Sequence, residues 1–114
     1  MPAEVLSTDE IKTLEMLSYF FYVMGLDRKA QKTAQAIMSV DPDNTWARGM
    51  MAALAFRNER YDLTLSMTSG YTPAGAKSAA DREMCKLRAR ALFKTGQTDK
   101  ARAMMSELLG DISR

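Results

Sequence analysis

Histidine is absent from the 114 residues, so the side chain best suited to proton transfer near neutral pH is missing. A single cysteine, Cys85, cannot form an internal disulfide and points to a reducing compartment. It lies on a predicted helix near basic residues, which lower a thiol pKa, but its spacing reads as a half-buried thiol at a helix-packing position. No apolar run approaches the roughly 18 residues of a membrane span, and the N-terminus lacks a basic region followed by an apolar core. The expectation is a cytoplasmic protein without membrane insertion. No phosphate-cradling loop is present either. Gly70 and Gly75 flank a Tyr-Thr-Pro turn with no Lys-Ser/Thr partner, and no carboxylates fall at calcium-loop spacing. These absences predict no catalytic residue, no cofactor and no metal, and so not an enzyme.

What the chain does have is apolar content, 46% of residues, enough for one compact domain with a core. Its charges are mixed in sign and its net charge is only +2, which argues against a protein that coats polyanions. The charge is uneven, though. Residues 1–70 carry 7 Lys/Arg against 9 Asp/Glu, and residues 71–114 carry 9 against 5.

The stretch GLDRKAQKTAQAIMSVDPDN, Gly25 to Asn44, opens on a helix stop and closes on a proline turn. Ala30 and Ala34 sit four apart on one face, and Ile37 and Val40 extend that stripe toward a core. Pro42 cannot continue a helix, and Asn44 suits the N-cap of the next. The pattern recurs. GLDRKAQ at Gly25 aligns with ERYDLTL at Glu59 and GQTDKAR at Gly96, at spacings of 34 and 37 residues. The small residue five places on recurs as Ala30, Thr64 and Ala101. Helices are predicted at about 9–24, 27–40, 45–58, 61–69, 79–95 and 98–110, an all-α fold. Ser7-Thr8-Asp9-Glu10 has capping-box spacing, Ser78 to Asp81 is a weaker version, and Thr98 precedes the last helix. The Gly-, Pro- and Ser-rich segment 69–78 is the one long loop, which shortens the fourth helix. Residues 1–6 and 111–114 are expected to fray.

A helix-turn-helix unit with a period near 34 resembles the tetratricopeptide repeat. Residues 11–44 match its pattern through Leu17, Ser18, Phe21, Gly25, Ala30, Ile37 and Pro42. Residues 45–78 match through Met51, Ala52, Ala55, Tyr61 and Thr64. Residues 82–114 match through Ala89, Leu92, Gly96, Ala101 and Leu108, without the closing proline. The resemblance implies a single domain, 1–114, of three hairpins stacked in a short right-handed solenoid.

In that family the first helix of each pair lines a concave groove. The corresponding positions here are Lys12, Glu15, Tyr19 and Tyr22; Trp46, Gly49, Ala53 and Phe56; and Glu83, Lys86, Arg90 and Phe93. The resemblance therefore implies a partner-binding groove of Tyr19, Tyr22, Trp46, Gly49, Ala53, Phe56, Lys86, Arg90 and Phe93, with its aromatic rings facing solvent. Exposed apolar patches mark partner sites, and aromatic anchors dominate them. The alternative is that the rings pack against the protein itself. Arg82, Lys86 and Arg90, spaced four apart, form a basic stripe on the same face. Glu83 interrupts it and no recognition motif accompanies it, so nucleic acid is not expected. Ten methionines mostly fill core gaps, though thioether surfaces also suit apolar ligands.

Some members of the family grip a C-terminal carboxylate through a Lys/Asn/Lys/Arg clamp. The matching positions here are Glu15, Tyr19, Met50, Glu83 and Leu87, so that function is not implied. The size, the methionine content and the apolar groove resemble the small chaperones of bacterial type III secretion, in particular the needle-subunit co-chaperones and the chaperone of the export-gate protein (SctY-like). The resemblance implies a small secreted protein or apparatus subunit as partner; the apolar groove, and the lack of a polar capping helix after the third repeat near Met104, Met105 and Leu108, predict a homo-oligomer when alone. A structural adaptor joining subunits of another assembly is the alternative.

Overall fold

The computed structural model describes residues 6–113, with side chains for residues 6–110. Among the described residues there are six helices and no strand: α1 Thr8–Val23, α2 Asp27–Val40, α3 Thr45–Arg57, α4 Tyr61–Met67, α5 Ala79–Lys94 and α6 Thr98–Ser113. The all-α expectation holds, and most boundaries fall within one residue of the sequence prediction. The exceptions are the end of α4, which stops earlier, and the end of α6, which continues through residues expected to fray. The fraying expected at 1–5 lies outside the described residues.

Three of the links between helices are built alike. Gly25, Glu59 and Gly96 take φ values of 77°, 61° and 86°. The residue after each donates its N–H five residues back: Leu26 to Phe21, Arg60 to Ala55 and Gln97 to Leu92, all at 2.8 Å. Gly25, Glu59 and Gly96 themselves donate to Tyr22, Phe56 and Phe93. This is the Schellman arrangement, which satisfies the orphan carbonyls at a helix end and reverses the chain. The sequence alignment of Glu59 with the two glycines is thereby reproduced in backbone geometry.

Chain contacts divide the molecule into two compact units, 1–54 and 55–114, and the division falls inside α3. In the first unit α1 and α2 pack together. Ala30, Ala34 and Ile37 on α2 are fully buried, with Ala47, Met50 and Leu54 of α3 in the same cluster. The small residues matter because they let helices approach closely. The hydroxyl of Ser18, fully buried on α1, donates to the Ala30 carbonyl at 2.9 Å. Ser7 caps α1 as the sequence predicts: its hydroxyl accepts from the Glu10 N–H, and the Glu10 carboxylate accepts from the Ser7 N–H at 2.9 Å. Those bonds hold the Glu10 carboxyl below its ordinary range.

In the second unit α5 packs against α4 and α6. Its buried side is Met84, Cys85, Ala89, Ala91 and Leu92, facing a core that includes Ala101 and Leu108 of α6. Ser78 caps α5 by accepting from the Asp81 N–H, and Asp81 accepts in return from the Lys77 N–H at 2.9 Å. Thr98 is itself the first residue of α6. Two long side chains tie helix carbonyls together. Arg88 donates to the Leu65 carbonyl at 2.8 Å, at the end of the short α4, and Arg82 donates to the Leu108 carbonyl at 2.9 Å.

Candidate partner-binding surfaces

The first unit carries one surface of interest, on α1. Apolar residues occupy every side of this helix, and a helix of that kind normally has neighbours on every side. Only one side is covered. Ile11, Leu14, Phe21 and Tyr22 turn toward the core cluster, while Met16, Tyr19, Phe20, Val23 and Met24 lie between 54% and 73% exposed. At 100° per residue these five share one face, with Asp9 and Lys12 toward its N-terminal end. Single exposed apolar residues are ordinary; a contiguous row is not.

The second unit carries a cleft of about 700 Å³, between the end of α3, the start of α4, and facing sides of α5 and α6. Phe56, Tyr61, Ala89, Phe93, Ala101 and Met105 give it an apolar lining. Arg57, Arg90, Lys94 and Arg102 stand around it, against one acidic side chain, Glu59. One wall is pre-arranged. The Arg90 guanidinium carbon lies 4.5 Å from the Phe56 ring centroid, and Phe56 meets Tyr61 edge-on at 5.3 Å. Such contacts fix ring positions at low cost. Phe93 stays 60% exposed.

The residues expected to line one groove therefore meet different fates. Tyr19 is exposed on α1. Tyr22 and Trp46, expected to face solvent, are half-buried against the first unit's core, and Gly49 and Ala53 are half-buried as well. Phe56, Arg90 and Phe93 come together in the second unit's cleft. Lys86 is not part of its lining; it pairs with Glu83 at 3.1 Å on the exposed side of α5. The basic stripe is likewise divided, since Arg82 serves the Leu108 carbonyl and Arg90 covers Phe56. Met16, Phe20, Val23 and Met24, all exposed, lie outside the expected groove. Their signal was available: the i, i+4, i+7, i+8 spacing puts these four opposite Ser18.

Cys85 is fully buried, and burial followed by the nearby Asp81 charge pushes its thiol pKa up. It is a packing residue, with a thiol held protonated. Among the described residues no group of three His, Cys, Asp or Glu is placed to hold a metal ion, and no helix is long and apolar enough to cross a membrane.

No protein-family model matches the chain, and neither a curated protein nor a solved structure matches it.

Proposed function

We propose that the chain is a protein-binding module of three tetratricopeptide-like hairpins, stacked as a short right-handed solenoid. Within that reading it is a cytoplasmic chaperone of bacterial type III secretion that holds a small export substrate. It is not an enzyme and needs no cofactor. The solenoid reading is supported by the threefold Schellman turn at matching register. The chaperone reading is carried by one observation: the α1 row of Met16, Tyr19, Phe20, Val23 and Met24, which is apolar yet more than half exposed. A chaperone that shields a self-associating partner needs such a surface, and aromatic and Met side chains suit an apolar segment. The cleft around Phe56, Arg90 and Phe93 offers a second contact of the same kind.

The test is co-expression with candidate small exported proteins of the host, followed by fractionation. A substrate that is insoluble alone should become soluble and co-purify with this chain. Recovery instead of non-exported subunits of another assembly would favour the adaptor reading, which the presence of an apolar surface on each unit also suits. A chain that solubilises none of the exported proteins would contradict the chaperone.

A further inference from the structure

We infer that the second-unit cleft takes an acidic apolar segment of a partner protein, a stretch of chain in which Asp or Glu residues flank aliphatic or aromatic anchors. The inference deepens the binding-module reading of the proposed function and rests on it. Two helices shape the site. From α5 come Ala89, Arg90, Phe93 and Lys94, and from α6 come Thr98, Ala101, Arg102 and Met105. Those spacings turn one face of each helix toward the cleft. Ala89 and Ala101 are only 2% and 6% exposed, so its floor is made of side chains too small to fill it. Phe93 and Met105 stand beside them. Apolar anchors that fill such a space supply most of an interface's affinity.

The charges around this apolar lining are one-sided. Arg57, Arg90, Lys94 and Arg102 meet it, against Glu59 alone. Residues 55–114 carry 7 Asp/Glu beside 11 Lys/Arg, yet the unit's acids are mostly elsewhere. Asp99 and Glu107 of α6 are not part of the lining, and Glu83 pairs with Lys86 on the exposed side of α5. Arg90, Lys94 and Arg102 are exposed, so each is hydrated until an occupant arrives. A neutral apolar segment strips water from these cations and returns nothing, and a basic one is repelled. Carboxylates replace the lost water with charge-assisted hydrogen bonds. Charge therefore selects the segment, and the apolar floor holds it. Nucleic acid would meet the same cations, but it also needs ring faces on which bases stack. Phe56 is engaged by the Arg90 guanidinium and the Tyr61 edge, and of these three rings, Phe56, Tyr61 and Phe93, only Phe93 is exposed.

A phage-displayed library of random peptides, panned on the whole chain, reads this preference without a known partner. Cleft binders are the clones that bind the wild type and lose at least tenfold in affinity on Phe93→Ser. Their sequences should be enriched several-fold in Asp and Glu beside Leu, Ile, Phe or Trp, relative to the unselected library. Synthesised as labelled peptides and followed by fluorescence anisotropy, they should bind several-fold more weakly at high salt. Lys94→Gln with Arg102→Gln should remove most of that salt dependence, and replacing the peptides' acids with the matching amides should weaken binding by a similar factor. Circular dichroism checks that each variant is folded, and Met105→Ser replaces Phe93→Ser if that variant is not. Cleft binders without acidic enrichment overturn the inference, and so does a library that yields no cleft binder. A mixed-sequence single-stranded oligonucleotide that binds the wild type more tightly than the selected peptides overturns it in favour of nucleic acid. The proposed function falls separately: an export substrate that co-purifies yet ignores the Phe93→Ser and Lys94→Gln/Arg102→Gln changes keeps the chaperone and overturns the cleft's role.

Discussion

Glu59 holds a φ of 61°, in the left-handed region where a β-carbon crowds the backbone. Gly25 and Gly96 solve the same geometry without that cost. Glu59→Gly should therefore raise unfolding stability by about 1 kcal/mol. Gly25→Ala and Gly96→Ala should each lower it by a similar amount, although a β-carbon there would meet no atom within 4 Å. Denaturant titration checks the signs; a neutral Gly25→Ala would mean that the turn does not persist in solution. Glu10 gives a second prediction, this time in pH. Its carboxyl accepts from the Ser7 N–H and titrates below the ordinary value of 4.5, so on acidification the unfolded chain takes up the proton first. The contribution of the cap is complete above that ordinary value and fades as pH falls through the depressed one. Glu10→Gln should flatten this part of the acid dependence of helix content, measured by circular dichroism against the wild type.

The helices depend on small residues where they cross. Ala30 is fully buried on α2 with its carbonyl bonded by Ser18, and Ala101 is nearly so on α6. Ala30→Leu and Ala101→Leu should each cost about 1–3 kcal/mol by overpacking; two neutral results in a denaturant titration would show the packing register to be wrong. The helices themselves were legible in the sequence because their stops are local. Gly25, Gly96, Pro42 and the Ser7 and Ser78 caps act within a turn or so of the residues that encode them. Even Glu59, an unlikely residue for its conformation, was located by its distance from Gly25. The solvent-facing site was less legible. Which rings are covered depends on the neighbours a helix acquires, and one helix's periodicity does not state them. The repeat register makes Tyr22 and Trp46 groove anchors, yet both pack on the first unit's core. Met16 and Met24 read as gap-fillers but stay exposed. Arg82 looked like part of a charged stripe; its length lets it reach the Leu108 carbonyl, 26 positions away in sequence.

At the scale of the whole molecule, each unit presents an apolar surface, the α1 row on the first and the cleft on the second. A partner binding only the folded chain would stabilise it by mass action, about 2.7 kcal/mol at a hundredfold excess over the dissociation constant. On the proposed chaperone reading, the melting temperature should therefore rise when the export substrate is added. The central claim is that the exposed apolar residues are for binding rather than for folding, and surface substitutions in that complex test it most directly. Tyr19→Ser with Phe20→Ser on α1, and Phe93→Ser in the cleft, change residues that are 54–60% exposed. Interface aromatics cost ~2 kcal/mol or more on truncation, so each variant should weaken partner binding at least tenfold, measured by calorimetry, while its helix content and denaturation midpoint stay near wild type. Unchanged affinity in both variants, or loss of binding only in step with loss of the fold, would contradict the account.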